Sequence, residues 1–210
     1  MAQLTEAAGF AFLPSMRDFS EPHQVSRLLH DLPCPWGIAG GWAVDLFLDR
    51  VTREHQDIEA AIFREDQLVL QDYLCFRGWS FEYVRDGRFY PWSKGESLVL
   101  PVHEIWGRSD REPLLRLEVL LNERVTDAFI FRRDPRIRMR IERAFLQSKS
   151  GIPILAPAIV LLYKSKRVAE LKEQLDFSNI LDALDAESRQ WLLESLGAMD
   201  PEHDWLAVLR

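Results

Sequence analysis

Two short groups of residues in the first third of the chain have the types and spacing that metal and phosphate chemistry requires. Asp57 and Glu59 stand two residues apart where an apolar run, 58–63, begins. In a β-strand, residues two apart point to the same face, so the two carboxylates would project together. Mg²⁺ is usually held by one or two carboxylates together with substrate phosphates. The pair therefore predicts a metal site, with Asp57 and Glu59 as ligands.

A glycine pair, Gly40 and Gly41, supplies the phosphate side of this prediction. The pair follows the apolar run 36–39 and precedes a helical segment. Glycines at such a junction let backbone N–H groups approach an anion, and the helix N-terminus adds a favourable dipole. Each pattern alone is weak, because Gly-Gly occurs in ordinary turns and Asp-x-Glu occurs on solvated strand edges. Their order and the helix-length spacer between them are more specific than either pattern.

The elements that position these groups follow from hydrophobic periodicity and from turn residues. A first helix should begin at Ser20 or Glu21 and end before the sequence Pro33-Cys34-Pro35. Further helices are predicted at 42–48, from Asp66 to Gly78, and at 158–167, 170–184, 187–196 and 201–209. Strands are predicted at 36–39, 58–63, 79–84, 102–106, 114–121 and 125–131, with a turn at 122–124 and a short strand before Pro157.

The stretch GGWAVDLFLDRVTREHQDIE, from Gly40 to Glu59, resembles the nucleotidyltransferase superfamily. It is similar to the branch that contains the aminoglycoside and lincosamide adenylyltransferases, strongly across residues 36–63 and more loosely up to about residue 125. The resemblance implies an α+β fold, with a nucleotidyltransferase-type mixed β-sheet flanked by helices and followed by a small C-terminal helical bundle. The implied domains are 1–140 and 141–210. One departure is Glu59, where the branch usually has aspartate, although glutamate can also coordinate Mg²⁺.

The resemblance also implies a third carboxylate, which comes from a later strand of the same sheet. Glu118 is the best match by position, and it stands in the apolar run 117–121. A carboxylate in such a run is costly unless a partner such as a metal ion or an acceptor hydroxyl compensates for its burial. Glu123 is the competing candidate, and Glu104 is a more distant one. Glu118 is therefore predicted to join the metal site or to accept a proton.

Basic residues near these positions are the implied contacts of a nucleotide. Arg53 would pair with a phosphate, or with Glu54 or Asp49. His55 would help to shape the site. Lys164 ends the pattern LAPxxxLLYK, which resembles the start of the helical domain in these transferases, where a basic residue reaches the triphosphate. The favourable interaction of basic residues with a helix C-terminus explains Lys164 equally well.

The implied activity is the transfer of AMP from ATP to a hydroxyl group of a small molecule such as an aminoglycoside or lincosamide, with two Mg²⁺ ions. The same chemistry on a protein or RNA acceptor is an alternative. A nucleotide-binding module that has lost catalytic turnover is another alternative. It stays open because Glu59 replaces the usual aspartate and because the third carboxylate is not decided between Glu118 and Glu123. The expected partners are thus a nucleoside triphosphate and a small acceptor.

The composition excludes several classes of protein. A hydrophobic content of 47% indicates a folded globular chain, and no apolar run approaches the roughly 18 residues of a membrane helix. Residues 1–12 contain Glu6 and no basic leader, so no signal peptide is expected and the protein should be cytoplasmic. The net charge of −7 disfavours nucleic acid and fits a cationic substrate better. Cys34 and Cys75 should be buried thiols.

Two further segments are candidates for ligand contacts. The irregular aromatic region 89–95 contains Tyr90 and Trp92, which together with Glu82 and Glu96 would suit a cationic sugar or would form ordinary surface. The arginines of the segment 132–143 are either solvated and paired with nearby acids or contact a triphosphate or nucleic acid. No aromatic residues alternate with these arginines in the way that base stacking requires.

Overall fold

The computed structural model describes residues 18–113 and 115–210. The helices in this range are α1 Ser20–Leu28, α2 Gly40–Leu48, α3 Gln67–Cys75, α4 Ile141–Ala144, α5 Pro157–Lys164, α6 Leu171–Ile180, α7 Ala186–Met199 and α8 Leu206–Leu209. The strands are β1 Trp36–Ile38, β2 Ile58–Phe63, β3 Trp79–Arg85, β4 Arg88–Pro91, β5 Glu104–Ser109, β6 Leu117–Val125, β7 Ala128–Ile130, β8 Arg138–Arg140, β9 Phe145–Gln147 and β10 Pro153–Leu155. Short 3₁₀ turns occupy Arg64–Asp66, Ser165–Arg167 and Leu181–Ala183.

These strands form one mixed sheet in the order β4-β3-β5-β6-β2-β1-β10-β9, and β7 and β8 extend from β6. The β2–β6 and β1–β10 pairs are parallel, and the other pairs are antiparallel. Helices pack on the sheet and continue beyond it in the C-terminal part of the chain. The predicted α+β architecture is therefore confirmed.

The centre of the sheet is apolar because β2 and β6 are buried. Every residue of β2 is buried except Glu59, which is only partly exposed. Helix α2 is apolar around most of its circumference and contacts both β2 and α5. A helix that is apolar on all sides lies inside a protein, and α2 therefore fixes the glycine pair at the centre of the molecule.

The C-terminal helices begin where the sheet ends. Pro157 starts α5, a position where its missing N–H leaves no hydrogen bond unmade. Asp185 caps α7 by accepting a hydrogen bond from the backbone N–H of Ser188 at 2.6 Å. Because β9 and β10 belong to the sheet, it extends to residue 155, while the division into domains at residue 140 stays a prediction. Of the predicted helix at 201–209, only Leu206–Leu209 is α-helical.

The predicted turn at 122–124 is wrong. Strand β6 continues to Val125, and the chain reverses at Thr126 and Asp127, where Thr126 has a φ of 53°. The reason is the side chain of Asn122, which donates to the carbonyl oxygen of Leu120 at 3.0 Å inside the sheet. Asn122 is therefore buried in a strand and not free to form a turn.

The outcome of three smaller predictions is as follows. Cys34 and Cys75 are free thiols, as expected, but each is only partly buried. Leu114, the predicted start of a strand, and residues 1–12 lie outside the described residues. In the described part of the chain, no helix combines the length and the apolar character that crossing a bilayer demands.

Candidate active site

A cleft of about 910 Å³ opens between the centre of the sheet and the helices α5 and α6. All eight residues that the sequence predicts for the site line this cleft: Gly40, Gly41, Arg53, His55, Asp57, Glu59, Glu118 and Lys164. The chain segments that carry them are far apart in sequence, and the sheet brings them together. The cleft is therefore the candidate active site.

Glu59 and Glu118 lie directly opposite each other on the parallel strands β2 and β6. Neighbouring strands are only about 4.8 Å apart, so the two carboxylates share one small region of the cleft. Burial, together with the negative charges of Glu59, Glu104 and Asp57, raises the pKa of Glu118 to about 9. Burial likewise raises the pKa of Glu59 to about 7, although Lys164 opposes the shift. Among the described residues, neither carboxylate forms an ion pair with a cation.

Asp57 immediately precedes β2, and its side chain is exposed at the mouth of the cleft. With Glu59, it provides the predicted pair two residues apart. Oxygen donors of this kind are the ligands that Mg²⁺ prefers. Among the described residues, no cluster of three or more His, Cys, Asp or Glu side chains is arranged to hold a metal ion unaided. The two uncompensated glutamates nevertheless fit a hard cation whose coordination is completed by other oxygen ligands.

The glycine pair begins α2 beside these carboxylates. Gly40 has a φ of +58°, and a side chain at this position would overlap the carboxylate of Glu59. A side chain at Gly41 would overlap the guanidinium group of Arg53 and the ring of His55. Since the first N–H groups of a helix have no partner within it, the turn presents free donors close to Glu59. Glycine is therefore favoured at Gly40 by its positive φ, and a side chain at either position would displace a residue of the site.

His55 is held in place from three sides. Its ring stacks on Trp42, with the ring centroids 4.1 Å apart. Its Nδ1 lies 3.0 Å from Nη1 of Arg53, which can only donate, so Nδ1 is the acceptor. Its Nε2 then carries the proton and donates to the buried carboxylate of Asp45 at 2.7 Å. Asp45 also accepts a hydrogen bond from Thr52 at 2.6 Å, which fixes the loop that carries Arg53.

Arg53 and Lys164 meet on a carboxylate that sequence reasoning missed. Arg53 donates to both oxygens of Asp176, with distances of 2.8 and 2.9 Å, and does not pair with the carboxylates of Glu54 or Asp49. Lys164 contacts Asp176 at 2.9 Å and also pairs with Glu173. The available signal was the spacing of Glu173 and Asp176, because residues three apart lie on one face of a helix.

The competing third carboxylates lie in different surroundings. Glu123 points away from Glu118 because it is an odd number of residues along β6, and it accepts a hydrogen bond from Arg64 at 2.7 Å. Glu104 lines the cleft and accepts a hydrogen bond from the indole of Trp106 at 2.7 Å. Of the three, Glu118 alone is directly opposite Glu59.

The aromatic region 89–95 and its acidic neighbours do not line this cleft. Trp92 is buried, and its indole donates to the backbone carbonyl of Glu96 at 2.7 Å. Tyr90 stacks on Tyr83 across the β3–β4 pair. The predicted arginine run divides between two environments. Arg136 and Arg143 pair with acidic residues on the surface, whereas Arg132 and Arg133 line the cleft.

Comparison with known proteins agrees with the predicted resemblance. Residues 22–95 match the model of the aminoglycoside-2''-adenylyltransferase family. No curated protein sequence matches the chain. The matched segment includes the glycine pair and the Asp57–Glu59 pair, whereas Glu118 and Lys164 lie outside it.

Solved structures show the same fold. The antibiotic-resistance factor ANT(2'')-Ia in solution is 15% identical, with a TM-score of 0.57 over 90% of this chain and 94% of that one. Its crystal structure with adenylyl-2''-tobramycin is 14% identical, with a TM-score of 0.54 over 84% and 95%. The lincosamide antibiotic adenylyltransferase LnuA, bound to lincomycin, is 16% identical, with a TM-score of 0.52 over 76% and 94%. The predicted fold and the predicted resemblance are confirmed.

Proposed function

We propose that this chain, whose fold is that of the adenylyltransferases and whose residues 22–95 match one of their families, is a Mg²⁺-dependent nucleotidyltransferase. It would move AMP from ATP to a hydroxyl group of a small molecule. The observation that carries the proposal is the pairing of two glutamates without an ion-pair partner, Glu59 and Glu118, beside the glycine turn that begins helix α2.

In the proposed reaction, the oxygen of the acceptor hydroxyl forms a bond to the α-phosphorus of ATP. The bond from that phosphorus to the oxygen bridging to the β-phosphate breaks, and pyrophosphate leaves. The hydroxyl loses its proton to a base. When bound, Mg²⁺ would neutralise phosphate charge and favour the ionised form of the hydroxyl.

Residues of this chain would bind and orient the reactants. Asp57 and Glu59 would hold the metal, and Glu118 would be a third ligand or accept the hydroxyl proton. Gly40 and Gly41 would direct backbone N–H groups at the β- and γ-phosphates. Most of the rate enhancement in such a transfer comes from orientation and from electrostatic stabilisation.

Two cations of the cleft, Lys164 and Arg53, would contact the triphosphate. Lys164 is near enough to Glu59 to oppose the rise of its pKa, so it lies on the metal side of the cleft. Arg53 lies beside Gly41 and would support the same phosphates. His55 positions Arg53 through the hydrogen bond to its Nη1.

The acceptor is proposed to be a small molecule that offers a hydroxyl group, and the similar proteins likewise bind small molecules. Tobramycin, as its adenylyl derivative, and lincomycin are the molecules in two of those structures. Since the donor is ATP, the cytoplasm is the proposed location. The cleft volume of about 910 Å³ can hold a nucleotide and a small acceptor together.

Pyrophosphate release from ATP and Mg²⁺ tests this proposal, with a panel of aminoglycosides, lincosamides and other alcohols. Release should require an acceptor and should be lost in the Asp57→Ala, Glu59→Ala double variant. Glu118→Gln should lose release, whereas Glu123→Gln, a change of the same type on the same strand, should retain it. Absence of Mg-ATP binding in calorimetry would refute the proposal.

A further inference from the structure

Three arginines line the wall of the cleft near helix α5. Arg132 and Arg133 lie in the loop between β7 and β8, and Arg167 lies in the 3₁₀ turn after α5. These three residues are called the arginine cluster. Within residues 18–113 and 115–210, Arg132 and Arg133 form no ion pair with a carboxylate. Arg167 has only a loose contact with Glu170, at 3.9 Å.

The other cations of the cleft are compensated, which makes the arginine cluster unusual. Arg53 and Lys164 share the carboxylates of α6. In contrast, the pKa of Arg133 lies below its ordinary value, because its guanidinium group is partly buried and because Arg132 and Arg167 repel its charge. An anion in this part of the cleft would relieve that repulsion.

The loop that presents Arg132 and Arg133 is firmly braced. Phe131 is fully buried, and its backbone N–H donates to the carbonyl of Ile137 at 3.0 Å. Nη1 of Arg133 donates to the carbonyl of Tyr163 at 2.7 Å, and its guanidinium carbon lies 5.3 Å from the centre of the Tyr163 ring. The remaining donors of Arg133 form no hydrogen bond with another described residue. The cluster is thus held on ordered backbone before any ligand binds.

The arginine cluster lies on the Glu118 side of the cleft. The Tyr163 hydroxyl contacts the side chain of Asn122 at 3.3 Å, and Asn122 shares a face of β6 with Glu118 four residues earlier. Four residues of a strand span on the order of 13 Å. The glycine turn, by comparison, follows β1, and β1 is separated from β6 by β2. The turn adjoins Glu59 of β2. The cluster is therefore separate from the turn that would hold the triphosphate.

We propose that the arginine cluster is a second anion site, which binds a phosphate or carboxylate group of the acceptor and places its hydroxyl group near Glu118. This inference rests on the proposed nucleotidyl transfer for the role of Glu118. It identifies the acceptor as an alcohol that also carries an anionic group. Arginine suits such a group because its planar donors match the oxygens of phosphate and carboxylate.

The first test measures anion binding alone, with inorganic phosphate as the probe. Phosphate is titrated into the full chain with and without saturating Mg²⁺ and α,β-methylene-ATP, which occupies the nucleotide site without reacting. Binding should persist with the analogue present and should weaken by about tenfold in Arg132→Gln and further in the Arg132→Gln, Arg133→Gln double variant. Arg132→Lys should retain most of the affinity, and Arg136→Gln, in the same loop but paired with Asp134, should be unchanged.

Two outcomes would overturn the proposal in this test. If the analogue displaces phosphate, the arginines belong to the nucleotide site. If Arg132→Gln binds phosphate as the parent chain does, the cluster is not an anion site. The side chain of Arg132 makes no hydrogen bond to another described residue, so its variant should fold, and an unchanged melting temperature verifies this.

The second test measures pyrophosphate release with matched acceptors, glucose and glucose 6-phosphate among them. The phosphorylated alcohol should have the lower KM, and Arg132→Gln should remove the difference without changing the KM for ATP. A preference for polycationic aminoglycosides, unaffected by Arg132→Gln, would overturn the assignment. Because phosphate binding is measured without turnover, loss of Mg-ATP binding would refute the proposed transfer while the first test still decides the anion site.

Discussion

Two of the groups of buried charge among the described residues are compensated in opposite ways. In the centre of the sheet, Glu59 and Glu118 face each other with no cation bonded to either among the described residues. Between the loop before β2 and the C-terminal helices, Asp176 binds Arg53 and Lys164. Asp176 is fully buried, and Glu118 is 9% exposed. Similar burial thus accompanies very different surroundings.

The pKa values follow the surroundings and not the burial. Burial alone would raise the pKa of Asp176, but hydrogen bonds from Arg53 and the charge of Lys164 outweigh it and leave the pKa below its ordinary value. The pKa of Glu118 rises to about 9, because burial acts with neighbouring negative charges. A compensated cluster stabilises the fold by itself, whereas an uncompensated pair is stable only with an added cation or proton.

The largest expected effect is on stability, from removal of the shared carboxylate. Asp176→Ala leaves two buried cations without it and should lower the free energy of unfolding by about 3–5 kcal/mol. Urea denaturation measures the loss. Glu170→Ala is the matched control, because its carboxylate is exposed and it should change stability little. Equal losses for the two variants would contradict the comparison.

The next effect is on activity, from the uncompensated pair. Glu118→Gln should lower pyrophosphate release by about 100- to 1000-fold, since it removes a charged group at the proposed reacting centre. The same variant should raise the melting temperature of the metal-free protein at pH 8 by roughly 4–8 °C, because folding then no longer requires a proton to be taken up at Glu118, whose pKa rises to about 9. If Glu118→Gln is inactive and also less stable than the parent chain, the charge of Glu118 is compensated in the folded protein, contrary to the comparison.

The glycine turn links the two groups, and substitution at Gly40 probes that link. Gly40→Ala requires a left-handed residue, at about 1–2 kcal/mol, and also displaces the Glu59 carboxylate. Gly95→Ala is the matched control, since Gly95 also has a positive φ, +77°, but nothing lies near its added methyl group. Both variants should be destabilised, and only Gly40→Ala should lose Mg-ATP binding in calorimetry. Retained binding would show that Glu59 does not act from this position.

Acidification should separate the two groups by the sign of its effect. The folded pKa of Asp176 lies below the unfolded value of 3.8, so its stabilisation is present above that pH and is lost as the pH falls through the folded pKa. The raised pKa of Glu118 has the opposite consequence, because the folded chain then binds more protons and gains stability as the pH falls from about 9. The free energy of unfolding of the metal-free protein can be measured by urea denaturation between pH 9 and 3. Its dependence on pH should be reduced at alkaline pH in Glu118→Gln and at acidic pH in Asp176→Asn.

The sequence predicted the uncompensated group better than the compensated one. Glu59 and Glu118 stand out in apolar runs, and the strand period alone places Asp57 and Glu59 together. The parallel register that sets Glu59 against Glu118 depends on the whole sheet, so no local pattern contains it. Asp176 is more than a hundred residues from Arg53, so no local pattern indicates that these two side chains form a pair.

Local patterns also misled where a side chain had a tertiary partner. Asn122 is a common turn residue, but hydrogen bonds within the sheet hold it in β6, and the turn falls four residues later at Thr126. Arg132 and Arg133 looked like members of one solvated run with Arg136. In the folded protein they separate, since Arg132 and Arg133 line the cleft whereas Arg136 pairs with Asp134 on the surface.

The smallest expected effect comes from a surface pair of the same residue types. Arg136 donates to both oxygens of Asp134, as Arg53 does to Asp176, but the Arg136 side chain is 81% exposed. Exposed ion pairs add little, because water screens the charges and because holding two long side chains costs entropy. Arg136→Gln should therefore leave the melting temperature unchanged within measurement error, while Arg53→Gln should lower it clearly. Equal shifts would show that the geometry of the pair, and not its burial, determines its contribution.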